Sequence, residues 1–202
     1  MLNSTKILRS FYALLVFLSF LLYPSLNKPT EAVHIIKLEI DDWIPLIPIF
    51  SVPYILYIPF LVITLLYFIF FTRLFKEISI SFVFCQAIAA IVYAVYQTHV
   101  PRPSINDTDI FSKLVLFIYS KDQPYNCFPS LHVALSLISF LYWIKIFPNL
   151  KVPMGVFVVS IILSTMFVKQ HYFLDVISGI LLGIVSFYIG NFSSVIKIGI
   201  GR

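Results

Sequence analysis

Six apolar stretches, at about residues 7–24, 53–71, 78–97, 129–147, 152–168 and 172–190, alternate with polar segments along the chain. Each runs for roughly 17 to 20 residues, the length at which a helix crosses a hydrocarbon layer of about 30 Å. The pattern predicts an all-α membrane protein, a bundle of six transmembrane helices. The first stretch, FYALLVFLSFLL after Lys6 and Arg9, also has the character of a signal-peptide core. No small-x-small cleavage site follows it, since Tyr23, Pro24, Ser25, Leu26, Asn27 and Lys28 come next, so it reads as a first span.

Two polar segments interrupt the rhythm. Residues 27–46 carry Glu31, Glu39, Asp41 and Asp42 among Val33, Ile35, Ile36, Leu38 and Ile40, which predicts an interfacial loop or short surface helix. Asp41 and Asp42 read there as solvated charges, with contact to a polyol or headgroup as the alternative. Pro45, Pro48, Pro53 and Pro59 predict an irregular entry into the second span. Residues 98–128 form the second polar segment, rich in side chains able to do chemistry. The chain reads as one structural domain: a first helix and loop over 1–40, a helical bundle over 41–190 and a tail over 191–202.

Composition agrees with a bilayer as solvent. Of 202 residues, 60% are hydrophobic and 11% charged, and the mean hydropathy is +0.97. Soluble domains carry more than twice that charge, and disordered chains are far less apolar. The net charge of +5 does not mark a nucleic-acid binder, because no two Lys or Arg are adjacent and they sit singly at the ends of apolar segments. Lys6, Arg9, Arg73, Lys76, Lys145, Lys151, Lys197 and Arg202, opposed by Glu77, fall on one side of a six-span topology. That places both termini in the cytoplasm of a multi-pass protein, with the plasma membrane as the expected location, and segment 98–128 on the outer or lumenal face. Cys85 and Cys127 have no zinc-ligand spacing, and neither has a redox partner in the pattern.

Three clusters then share the outer membrane edge: Thr98 to Pro103, Cys127 to His132, and Lys169 to Asp175. His171 and Asp175 are four apart on one helix face, where the carboxylate can take one imidazole N–H and leave the other nitrogen as nucleophile or base. Ser130 and His132 fall in the first turn of the fourth span after Pro129, where helix N–H groups favour an anion. Arg102 offers a donor fork matched to phosphate, and Lys169 adds a second cation, with its ammonium expected to face that phosphate. The set suffices for phosphoryl transfer without a metal or other cofactor. His34 and His99 read as structural histidines.

Arg102-Pro103, Pro129-Ser130-Leu131-His132 and His171-Tyr172-Phe173-Leu174-Asp175 resemble the three motifs of the type 2 phosphatidic acid phosphatase (PAP2) superfamily, in order and spacing, over about residues 40–190. More narrowly, DDWIPLIP at 41–48, NCFPSLHVALS at 126–136 and STMFVKQHYFLD at 164–175 look like the subgroup of inositol phosphorylceramide synthases and their bacterial relatives. The resemblance implies a six-helix membrane enzyme in which His171 attacks phosphorus and Asp175 orients it. His132 would serve as acid and then base, while Arg102 and Ser130 hold phosphoryl oxygens. Two of the superfamily's cations are absent: Val95 stands where the first motif has Lys, and Ser164-Thr165 where the third has Ser-Arg. Lys169 is the replacement expected in the narrower subgroup.

The leading function is therefore a metal-independent lipid phosphatase or phosphotransferase acting on a lipid phosphate or phospholipid through a phosphohistidine. An inositol-phosphate transferase with phosphatidylinositol as donor is the alternative. A non-catalytic transporter or anionic-lipid scaffold is the reading from another class. It has no need of two imidazoles and an orienting carboxylate.

Overall fold

The computed structural model describes residues 4–199, with side chains to residue 192. Arg202 and the side chain of Lys197, both counted above toward the cytoplasmic face, lie outside the described residues. Those residues are 74% helical with no strands, apart from two isolated bridges, His34 to Thr98 and His99 to Tyr125.

Helices α1 (Ser4–Phe20) and α2 (Leu22–Leu26) make the first apolar unit, and α3 (Ile40–Trp43) is a single turn in the loop after it. A 3-10 turn at Pro48–Phe50 leads into α4 (Ser51–Phe71), and α5 (Phe75–Val95) follows. Next come α6 (Ile110–Lys121), α7 (Leu131–Ile146), α8 (Lys151–Phe167) and α9 (Phe173–Gly199). Among the described residues, five units are long and apolar enough to cross a membrane: Ser4–Leu26, Pro48–Phe71, Phe75–Val95, Pro148–Phe167 and Phe173–Phe192.

The fourth apolar stretch of the sequence gives a shorter helix than its pattern predicts. Ser130 stays extended as the N-cap of α7, and the helix ends before Phe147, where the following proline disfavours helical backbone. The 16 residues that remain span about 24 Å at 1.5 Å per residue. The polar segment 98–128 contains a helix that its composition did not announce. Asp109 starts α6 by accepting the N–H groups of Phe111 (2.8 Å) and Ser112 (3.2 Å), and Val115 and Ile118 bury one face of it against Tyr54 and Val168. At the other extreme, α9 continues through Gly199, past the boundary expected at 190.

The bundle is built around α7, which packs on α4, α5, α8 and α9. Val133, Ala134, Ile138, Ser139 and Tyr142 on it are fully buried. Lipid offers little hydrophobic drive for helices to associate, so close backbone approach and polar contacts carry the packing. Gly179, Gly183, Ser186 and Gly190 form the small stripe of α9: a Cβ on Gly179 would stand 2.6 Å from the Ser130 carbonyl oxygen, and one on Gly183 2.9 Å from that of Ala134. Side chains join the helices elsewhere: Gln86 Nε2 donates to Ser19 Oγ (2.7 Å), Trp143 Nε1 to Thr64 Oγ1 (2.9 Å), and the Ser81 and Tyr142 hydroxyls share a bond of 3.0 Å.

The two ends of the bundle differ. At one, Arg9 donates to the carbonyls of Ile69 and Thr72 and lies over the Phe75 ring, so a cation satisfies the orphan acceptors that close α4. Lys145 donates to Asn191 there. At the opposite end α7 and α9 begin. Asp41 departs from its expected role at this point. It is 4% exposed, and its carboxylate accepts the N–H groups of Phe173 (2.7 Å) and Leu38 (2.8 Å). It therefore caps α9 across a large sequence separation, because the first N–H groups of a buried helix need an acceptor. Its neighbour Asp42 is an exposed partner of Lys37.

These contacts set stability outcomes readable by thermal unfolding in detergent. Gly179→Ala should cost roughly 1–3 kcal/mol through overpacking against the α7 N-cap. Gly155→Ala, whose Cβ would meet nothing nearer than 3.6 Å, should be neutral or gain up to about 1 kcal/mol of helix propensity. Asp41→Ala should cost about 1–2 kcal/mol and Asp42→Ala less than about 0.5 kcal/mol; equal effects from the two aspartates would remove the capping role.

Candidate active site

The segment before α7 is held by groups from three other elements. Tyr93 donates its hydroxyl to the Pro129 carbonyl (2.7 Å), Tyr57 to that of Leu131 (3.4 Å), and the Ser130 N–H reaches the Asp175 carbonyl (3.1 Å). Thr98 Oγ1 accepts the N–H groups of Cys127 (3.1 Å) and Phe128 (2.8 Å). The Phe128–Pro129 peptide is cis. Ser130 is fully buried and caps α7 by accepting the Val133 N–H at 3.4 Å.

This scaffold sets His132 in the first turn of α7, its ring between those of Tyr54 and Tyr57 at centroid distances of 4.6 and 4.4 Å. His171 stands before α9 with its ring centroid 5.7 Å from that of His132. The N–H groups of Gln170 and His171 both donate to the Thr165 carbonyl (2.9 and 3.0 Å), which closes α8 and fixes the start of the motif. Asp175, fully buried, brings Oδ2 to 3.4 Å from His171 Nδ1 and accepts the Tyr172 N–H at 2.8 Å. His171 Nδ1 and Asp175 Oδ1 lack a hydrogen-bond partner within the protein.

Arg102 is tied to Gln170, the residue before His171, and is not among the residues that line the cavity with the histidines. Its guanidinium donates to the carbonyls of Tyr119 (2.9 Å) and Asp122 (2.5 Å) and to Gln170 Oε1 (2.7 Å), and it stacks 4.4 Å above the Tyr119 ring. Its Nε is buried without a partner, as are Gln170 Nε2 and Asn126 Nδ2. These three buried donors are thus left open among the described residues, and buried donors in native proteins nearly always find an acceptor.

Lys169 departs from expectation. Its backbone takes the left-handed conformation (φ 56°), and its ammonium donates to the carbonyls of Ile44 and Asp41. It ties the 41–44 turn to the α8–α9 connection and does not line the cavity that the histidines share. Burial lowers its pKa, and the carboxylates of Asp41 and Asp42 work against that shift. Carbonyl oxygens that end a short turn need a donor, and this side chain supplies one.

The cavity holds about 740 Å³. His132 and His171 line it, with Asn27, Lys121, Asp122, Gln123 and Asn126 among its other polar groups. Phe20, Tyr57, Ile58, Phe117, Ile118 and Leu135 give it apolar walls. Asp122 was not singled out from the sequence, where nothing separates it from other loop acids. It accepts from the Tyr23 hydroxyl (2.6 Å), Asn27 Nδ2 (3.0 Å) and the Tyr54 hydroxyl (3.1 Å), which joins α2, α4 and the end of α6 around the cavity. Gln97 is a second such residue: its amide bonds Leu26, Lys28, Thr30 and Asn126. His34 stacks on Tyr96 at 4.1 Å and His99 packs near Tyr125 at 5.1 Å, neither among the cavity's lining residues. Cys127 packs with Val100 and Tyr172, and burial, reinforced by the Asp175 charge, pushes its thiol well above the usual value. Its Sγ, a ring nitrogen of His171 and a carboxylate oxygen of Asp175 lie within 4.8 Å of one another.

Comparison with known proteins gives one family. The profile of the PAP2 superfamily matches residues 35–189, a stretch that contains all three motif segments. No curated protein and no solved structure matches the chain. Membership implies phosphoesterase activity of the phosphatase or phosphotransferase type in an integral membrane protein. With the match covering most of its length, the chain belongs to the PAP2 superfamily.

Proposed function

We propose that the protein is a metal-independent lipid phosphatase or phosphotransferase that works through a phosphohistidine at the outer membrane edge, with α7 as a sixth, short span and both termini in the cytoplasm. The observation that carries this reading is the meeting of His132 and His171 in one cavity, 5.7 Å apart, with the Asp175 carboxylate 3.4 Å behind His171 Nδ1.

In this mechanism Asp175 takes the Nδ1–H of neutral His171, which leaves the lone pair on Nε2 to attack phosphorus. Separations of this kind tighten when substrate charge is present. The bond from phosphorus to the leaving oxygen breaks as His132, protonated, gives that oxygen its proton. His132 then takes a proton from water or an alcohol, whose oxygen attacks phosphorus and releases His171. The open donors of Arg102, Gln170 and Asn126 are the groups available to phosphoryl oxygens, and Ser130 holds the α7 N-terminus that faces the reaction. Lys169 acts in this reading as a brace for the site.

The division of the cavity favours a lipid. Its apolar walls suit an acyl or prenyl chain, and the two histidines open onto the same cavity. Asn27 and Gln123 give hydroxyl-bearing headgroups a place to bind, so transfer of inositol phosphate from phosphatidylinositol to an alcohol uses the same first half-reaction. Sidedness rests on Arg9 and Lys145 at the end away from the histidines.

Detergent-solubilised protein should release phosphate, or form a new phospholipid, from a panel of labelled lipid phosphates and phosphatidylinositol with and without an alcohol acceptor. His171→Ala should abolish both products; activity within a few fold of wild type would take the nucleophile role from His171. His132→Ala should lower turnover by about 10²- to 10⁴-fold, the range for a lost general acid. Activity should survive EDTA, and a strict Mg²⁺ requirement would count against the mechanism.

A further inference from the structure

Three ligand atoms of mixed chemistry converge behind the histidine pair. Cys127 Sγ, a ring nitrogen of His171 and a carboxylate oxygen of Asp175 lie within 4.8 Å of one another, and all three residues are buried. Two of these side chains carry atoms with no partner: Nδ1 of His171, whose side chain is 7% exposed, and Oδ1 of Asp175, at 0%. The Cys127 thiol completes the cluster and donates to the Pro124 carbonyl at 3.4 Å.

We propose that Cys127, His171 and Asp175 form an inhibitory site for a borderline-soft divalent cation of the Zn²⁺ class.

The donor set selects that class. Mg²⁺ and Ca²⁺ take oxygen ligands, whereas one sulfur, one imidazole nitrogen and one carboxylate oxygen suit Zn²⁺ and its Co²⁺ analogue. Ligand atoms around one tetrahedral Zn²⁺ stand about 3.3–3.8 Å apart, given bonds of about 2.0–2.3 Å. The cluster reaches that spacing with a contraction of about 1 Å at its widest pair, and the fourth position falls to water as in other three-ligand sites. A thiolate and a carboxylate also cancel the charge of the cation, which matters where no solvent does so.

Binding blocks the reaction for a tautomeric reason. A neutral imidazole carries one proton, and catalysis as proposed above needs it on Nδ1 so that Nε2 keeps its lone pair. A cation on Nδ1 moves that proton to Nε2 and removes the nucleophile, and the same cation draws Asp175 from its orienting task. The thiol proton of Cys127 leaves to solvent on binding. The inhibitory half of the inference rests on His171 being the nucleophile; the binding half does not.

Zn²⁺ titrated by calorimetry into the full-length protein in detergent should bind one ion per chain and suppress phosphate release in step with occupancy. Cys127→Ser should keep the basal rate while its Zn²⁺ affinity falls, and its inhibitory concentration rises, by more than the roughly 10- to 100-fold lost with a ligand's outer partner. Cys85→Ser, altered at a buried thiol elsewhere in the core, should behave as wild type. Co²⁺-loaded wild type should show a thiolate-to-metal charge-transfer band, a readout that does not depend on any variant folding. Absence of stoichiometric Zn²⁺ binding, unchanged affinity in Cys127→Ser, or a missing Co²⁺ band would each overturn the site. Cys127-dependent binding with undiminished turnover would overturn the inhibitory role and count against His171 as nucleophile, whereas a protein without the metal site would still lose activity in His171→Ala.

Discussion

Two helix N-termini meet inside an apolar bundle, and their unpaired N–H groups must find acceptors there or the bundle does not close. Asp175 answers part of that need for both helices from one position. Its side chain takes the Tyr172 N–H, and its carbonyl takes the Ser130 N–H, so the start of α9 and the start of α7 are joined through one residue. Asp41 completes the junction by accepting from Phe173. The close approach that makes the Ser130 contact possible comes from Gly179, where α9 has no side chain to hold α7 away. His132 and His171 face each other because these backbone demands are met in this way.

The same junction separates structural polar groups from available ones. Lys169, Asp41 and Ser130 spend their polar atoms on the backbone. Arg102, Gln170 and Asn126 each make structural bonds and still retain one open donor. A cationic pocket can be built more cheaply than this, with surface lysines alone. What is found is a set of fixed, buried donors tied to the segments that carry the two imidazoles, and fixed dipoles act more strongly on developing charge in such a setting than in water. Asp122, satisfied by two tyrosines and an asparagine, braces the cavity without bonding to the junction.

Much of the fold was legible because its causes are local. Apolar runs of near-constant length predict helices in lipid whatever their neighbours, and five such units appear with boundaries a few residues from those expected. The exception, α7, is shortened at both ends by local chemistry: an extended Ser130 cap and the proline after Phe147. Helix α6 escaped notice because its 12 residues lie in a polar segment and bury only one narrow face, too little to stand out from the loop around it.

By itself the sequence determined that the chain lives in a membrane and that His171 and Asp175 fall close together, since hydropathy and a four-residue spacing act locally. Helix α9 starts at Phe173, however, and His171 stands before it rather than on its face. Only the tertiary structure decided that Lys169 turns to the Asp41 and Ile44 carbonyls, that Asp41 is a buried cap, and that Asp122 borders the cavity. Each of these depends on a partner more than 60 positions away in the chain. A charged side chain is drawn to whichever unsatisfied backbone group the packing brings near, and no local pattern of residues records which group that will be.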